Sequence, residues 1–211
     1  MKCADKDLLL YAVTDRYWLG ERTLHDVVKE SLDGGVTFVQ LREKHLDQAH
    51  FLEEAKDLKM LCKSYNVPFV INDNVDIALE MDADGVHVGQ SDMPYEMVKR
   101  LLPEGKMIGL SVESPEQVLE ANDFDLDYVA ASPVFSTTTK TNTIVEWGLD
   151  GLRWIKSVSK HPLVAIGGIH PDNVASVFQA GADSVAVISA IVSAKDPEAA
   201  ARELLKKSTC F

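Results

Sequence analysis

Cysteine is scarce in this 211-residue chain. Cys3, Cys62 and Cys210 are an odd number with no CxxC spacing. That argues against a disulfide framework or a structural zinc site, and a reducing cytoplasm is the expected setting. Long apolar runs are also missing. None approaches the roughly 20 residues needed to cross a bilayer, and Met1-Lys2-Cys3-Ala4-Asp5 has no signal-peptide core. Positive charge is in deficit, with 21 Lys and Arg against 33 Asp and Glu, a formal charge of -12. A general nucleic-acid binder would need a basic face, so none is expected. A local basic pocket for a phosphorylated metabolite remains compatible. The six histidines form no HxxH or HExxH pattern, and Trp18, Trp147 and Trp154 are too scattered for a base-stacking platform.

What is present is an ordinary globular balance, 46% hydrophobic and 26% charged, which argues against disorder. Short apolar runs rich in β-branched residues alternate with longer amphipathic stretches. The runs are Leu8 to Val13, Thr37 to Leu41, Pro68 to Ile71, Gly85 to Val88, Met107 to Leu110, Tyr128 to Ala131, Leu163 to Ile166 and Ser184 to Ile188. Nearly uncharged runs of this kind are expected of parallel strands buried on both faces. Thr23, Ser114 and Asp150 are candidate helix N-caps. Pro115, Pro171 and Pro197 suit first turns, and Gly34-Gly35 and Gly181 suit helix stops. Eight β-then-α units predict an α/β fold, a single-domain (β/α)8 TIM barrel over residues 1–211. An open doubly wound sheet is the alternative, because periodicity does not reveal closure. No feature of the sequence sets an oligomeric state.

In a parallel barrel the chemistry gathers at the C-terminal strand ends. Polar residues or glycines follow nearly every run. Gln40, Arg42 and Lys44 lie at i, i+2 and i+4 within Gln40-Leu41-Arg42-Glu43-Lys44, so all three can face one site. Two cations and an amide suit a diphosphate. A solvated strand end is an equally ordinary reading of that stripe taken alone. Asp73 and Asp92 end neighbouring strands, roughly 4.8 Å apart, and can share one hard cation such as magnesium. Each alone reads better as a local cap, Asp73 of the next helix and Asp92 of a turn before Pro94. Gly167-Gly168 after run seven and Ser189 after run eight match a recurring barrel phosphate site. His87, inside a strand near the rim, reads more simply as a satisfied core histidine. The longest irregular stretch, Ser132 to Trp147, is expected to carry function rather than slack.

The ordered motifs YAVTD, QLREK, IND, DGVHVGQSD, IGLS, SPVFSTTTK, AIGGI and VAVISAI resemble the thiamine phosphate synthase family, from Tyr11 to about Ile191. The resemblance implies a transferase. It joins 4-amino-2-methyl-5-hydroxymethylpyrimidine diphosphate to a thiazole phosphate, giving thiamine phosphate and pyrophosphate. It implies that the Gln40, Leu41, Arg42, Glu43, Lys44 segment, with Asn72 and Lys140, binds the pyrimidine diphosphate. Ser111 would contact the pyrimidine side. Thr137, Thr138, Thr139, Gly168, Ile188 and Ser189 would hold the thiazole phosphate. Asp73 and Asp92 would bind one Mg2+ per subunit, and Arg42, Lys44, Lys140 and Ser111 would carry catalysis. The chain departs from the usual pattern at Glu113, where a histidine is frequent, at Ala130-Ala131-Ser132-Pro133, which is usually glycine-rich, at Ser136 and at Asn142. A thiazole tautomerase-like isomerase and a non-catalytic phosphate-ligand sensor are the competing readings. Neither requires the complete cation and carboxylate set.

Overall fold

The computed structural model describes residues 8–137 and 146–208. Eight short parallel strands form its centre: β1 (Leu10–Val13), β2 (Phe38–Leu41), β3 (Phe69–Asn72), β4 (Gly85–Val88), β5 (Met107–Val112), β6 (Tyr128–Ala131), β7 (Leu163–Ile166) and β8 (Ser184–Val187). They pair in chain order, and β1 also pairs with β8, Tyr11 opposite Ala186. That pairing closes the barrel and decides against an open sheet.

Helices α1 (Leu24–Asp33), α2 (Gln48–Ser64), α3 (Val75–Glu80), α4 (Tyr95–Leu101), α5 (Pro115–Ala121), α6 (Gly148–Val158), α7 (Val174–Gln179), α8 (Ser189–Val192) and α9 (Pro197–Ser208) ring the outside. Capping chemistry fixes several starts. The Thr23 hydroxyl accepts the Asp26 N–H at 3.1 Å, and the Ser114 hydroxyl accepts the Gln117 N–H. Asp150 does not cap a helix. It lies in the first turn of α6, after Trp147, and bonds Arg153 through its side chain. Pro115 and Pro197 open α5 and α9, whereas Pro171 lies in the turn before α7.

Alternation along each strand divides the core in two. Outward residues such as Val39, Leu41, Ile71 and Val86 pack against the helices. Inward residues Tyr11, Phe38, Val70, Tyr128, Ala130, Val164 and Ala186 fill the barrel. Phe38 and Tyr128 lie edge-on, their ring centroids 6.0 Å apart, and make an aromatic floor. Above them the small Ala130, Ala186 and Val164 leave room, so the mouth dips into the barrel.

Candidate active site

The C-terminal mouth of the barrel is a cavity of about 830 Å3, within the range of small-molecule sites. Parity along β2 decides which residues reach it. Gln40 faces inward, and beyond the strand Arg42 and Lys44 continue on the same side. Leu41 and Glu43 do not line the mouth, contrary to the sequence expectation. Leu41 is fully buried in the layer between barrel and helices. Glu43 turns to the Arg16 guanidinium at 2.9 Å and accepts the Lys44 and His45 N–H groups, both at 2.8 Å. Burial pushes the Glu43 carboxyl up. The His45 N–H and Arg16 outweigh it and hold the group below the usual carboxylate range.

Among the described residues, both cations of the mouth already have partners. Arg42 donates to Asp15 at 3.0 Å, and the half-exposed Lys44 ammonium contacts Asp73. Asp73 adopts a left-handed backbone (φ 61°), costly for a residue with a Cβ. Conformational strain of this kind clusters at functional sites. The following residue, Asn74, caps α3 by accepting the Ile77 N–H, so Asp73 is not the cap. Asp92 does close a local turn, accepting the Gly89 N–H at 2.7 Å. Its carboxyl is held above the usual range, first by burial and then by the Asp73 carboxylate beside it, against the Gly89 N–H and Lys44. Among the described residues no cluster of three metal-ligating side chains exists. The donor set is therefore two neighbouring carboxylates, Asp73 and Asp92. That set fits a hard divalent cation whose remaining ligands are waters and phosphate oxygens.

On the opposite wall, the glycine pair after β7 is left-handed at both residues, Gly167 (φ 105°) and Gly168 (φ 64°). A Cβ on Gly168 would lie 2.7 Å from the Ser136 carbonyl oxygen. The Val134 and Phe135 N–H groups donate to Ile166 and Gly167 at 2.9 and 3.1 Å, tying the segment after β6 to this turn. Asn72, Ser111, Thr137, Gly168, Ile188 and Ser189 all line the mouth, as do Glu113 and Ser136. Thr138, Thr139, Lys140 and Asn142 lie outside the described residues.

Two features escaped the sequence reading. Asp15 partners Arg42. Tyr11 and Tyr128 are polar members of the barrel interior, bonded to Gln40 and to His87 respectively. The available signal was Gly109 inside β5, where a Cβ would fall 2.2 Å from the Tyr128 ring. A glycine inside a strand marks such a close approach.

Comparison with known proteins adds four findings. A family model described as thiamine monophosphate synthase matches residues 10–191. A thiamine-phosphate synthase of Albidiferax ferrireducens is 51% identical over 197 residues, 93% of this chain and 90% of that protein. One from Vibrio campbellii is 46% identical over 93% of this chain and 96% of its own length. Among solved structures, thiamine phosphate pyrophosphorylase from Pyrococcus furiosus superposes with a TM-score of 0.89 at 41% identity, covering 97% of this chain and 96% of that one.

Proposed function

The chain belongs to the thiamine monophosphate synthase family, and on that premise we propose how its mouth makes thiamine phosphate. The activity is that of a transferase acting on small molecules. The observation that carries the detailed reading is the juxtaposition of Arg42 and Lys44 with Asp73 and Asp92 at one wall of the cavity. Arg42, Lys44 and Asn72 bind the diphosphate of the pyrimidine substrate, with Lys140 added by resemblance. Ser111 and Gln40 contact its ring. Gly168, Ile188 and Ser189, with Thr137 to Thr139, hold the thiazole phosphate on the far wall.

Asp73 and Asp92 would hold Mg2+. When bound, the ion supplies charge neutralisation at the leaving diphosphate. The exocyclic C–O bond breaks with its electron pair going to the diphosphate, where Arg42 and Lys44 stabilise the developing charge. The electron-rich aminopyrimidine supports the methylene cation. The thiazole nitrogen then gives its lone pair to that carbon, and the C–N bond forms. No proton is removed, so no general base is required. The mouth's contribution is to hold two substrates in contact.

A cytoplasmic location accords with Cys62, a buried free thiol whose pKa burial pushes up to about 12. Among the described residues no helix is long and apolar enough to cross a membrane. The test of function is pyrophosphate release with both substrates and magnesium. Release that persists unchanged after thorough chelation refutes the role given to Asp73 and Asp92. No release with both substrates refutes the reaction.

A further inference from the structure

Beneath the mouth runs a chain of hydrogen bonds that the roles above leave unexplained. Gln40 Nε2 donates to the Tyr11 hydroxyl. The Tyr11 and Tyr128 hydroxyls are 2.8 Å apart. The Tyr128 hydroxyl is 3.1 Å from His87 Nδ1, and His87 Nε2 is 2.9 Å from Ser111 Oγ. Side chains from β2, β1, β6, β4 and β5 are thus linked across the barrel, and all five are buried. The middle is held firmly. The Tyr128 ring stacks on His87 with centroids 5.6 Å apart, meets Tyr11 edge-on at 5.9 Å, and occupies the space that Gly109 leaves open.

Each hydroxyl has one proton to donate, and a neutral imidazole has one N–H. Gln40 enters the chain as a donor. In the one-way ordering Tyr11 then donates to Tyr128, Tyr128 to His87 Nδ1, and His87 Nε2 to Ser111. Ser111 is left with its proton for the mouth, and the Gln40 amide, turned with its nitrogen toward Tyr11, is left with its carbonyl oxygen and its second N–H. Gln40 and Ser111 both line the cavity.

We propose that this relay is a polarity-setting device. It fixes Ser111 as a donor toward the substrate ring and keeps the Gln40 amide turned with its nitrogen toward Tyr11 and its carbonyl oxygen available to the ring, and so selects an aminopyrimidine over an oxopyrimidine. An exocyclic amine donates and its neighbouring ring nitrogen accepts, which matches the pair. An oxo ring presents a carbonyl and an N–H, the reverse pattern, and would require every bond in the chain to turn over. Buried polar groups that lose their partners are costly, which is what makes such a site discriminating. Tyr128 is a positioning residue. It is 0% exposed and acts through His87 and Tyr11 rather than by touching substrate. The proposal rests on the pyrimidine diphosphate reading above and adds to it the basis of ring selection.

The experiment is equilibrium binding of the aminopyrimidine diphosphate and its 4-oxo analogue, measured separately on the wild type and Tyr128→Phe, with thiazole phosphate as a third ligand. The wild type should prefer the amino ring. That preference should fall about tenfold in Tyr128→Phe, the worth of one hydrogen bond near 1.4 kcal/mol, while thiazole phosphate binding holds. An equal loss of affinity for both rings, leaving the ratio unchanged, would mean that Tyr128 only supports the fold, and the relay is overturned. Should Tyr128→Phe not fold, Tyr11→Phe cuts the same chain one link away and the same ratio decides. A wild type that binds both rings equally overturns the relay alone. A wild type that binds neither overturns the pyrimidine reading together with it.

Discussion

Replacing Asp92 by Asn should move stability and metal affinity in opposite directions. The substitution keeps a side-chain oxygen for the Gly89 N–H, now 2.7 Å from Asp92, so the local turn survives. What it removes is a charge that burial and Asp73 both disfavour. A carboxyl whose pKa is raised on folding leaves the protein most stable where that group is protonated. The stability is lost as pH rises from the ordinary value of 3.8 through the raised folded value, and the deficit is complete at neutral pH. In chelator at pH 7, Asp92→Asn should therefore melt above the wild type, and the advantage should vanish in acid. Solvent at the open mouth screens the pair, so the gain is at most about 1 kcal/mol, or roughly 2–4 °C for a chain of this length. Excess magnesium should reverse the order. A ligand at a hundred times its Kd adds about 2.7 kcal/mol to the protein that binds it, and the variant should lose most of that increment. Thermal melts in chelator and in excess magnesium, across a pH series, read both effects. A variant less stable than wild type in chelator refutes the charge argument. An undiminished magnesium increment refutes Asp92 as a ligand.

Ser189→Ala should weaken thiazole phosphate binding by roughly 1.5–3 kcal/mol, the worth of a hydrogen bond to a charged group, with pyrimidine diphosphate binding nearly intact. Gly168→Val should be worse, because its φ is 64° and a Cβ there meets the Ser136 carbonyl oxygen at 2.7 Å; separate titrations giving the opposite selectivity for both variants would mean the subsites are reversed. Glu43→Gln should cost about 1–2 kcal/mol at pH 7, since Arg16 keeps Glu54 at 2.7 Å but loses a charged partner whose side chain is only 1% exposed. Because the Glu43 carboxyl lies below its ordinary 4.5, that contribution is present above pH 4.5 and should disappear as pH falls through the folded value; melts showing a pH-independent deficit would contradict it. Electron-withdrawing substituents on the pyrimidine should slow single-turnover C–O cleavage strongly, and a negligible effect on that step would count against a methylene cation.

Much of the barrel could be read from apolar runs alone. The runs Gly85 to Val88, Tyr128 to Ala131 and Leu163 to Ile166 coincide with β4, β6 and β7. β5 continues to Val112 beyond the apolar run, because Ser111 faces the mouth while Val112 packs outward against the helices. Apolarity marks burial, and a strand end that supplies a site is buried without being apolar. The same parity separates Gln40, Arg42 and Lys44 from Leu41 and Glu43 within one contiguous motif. Reading the motif as a block loses that distinction, whereas reading it as a strand keeps it. The Tyr11–Tyr128–His87 links were beyond a linear reading. Tyr11 and Tyr128 lie on β1 and β6, and only closure of the barrel brings their hydroxyls together.

Charge at the mouth gives a reason for the proposed metal and diphosphate to bind as one event. Among the described residues, the lining carries two cations, Arg42 and Lys44, against three carboxylates, Asp73, Asp92 and Glu113. Asp15 already engages Arg42 from behind, and Asp73 engages Lys44. Among the described residues a bare diphosphate approaching this wall meets no surplus of positive charge, in keeping with a chain of formal charge -12. A cation held by Asp73 and Asp92, as proposed above, would change the balance twice. It would neutralise the carboxylates and compete with Lys44 for Asp73, which would leave the ammonium for the anion. On that proposal the Lys44–Asp73 pair would be the resting state of a cradle whose cations exchange partners. By linkage, whatever the metal contributes to diphosphate affinity the diphosphate must return to metal affinity. The short span from Gln40 to Lys44 can then serve an anionic substrate within an acidic protein.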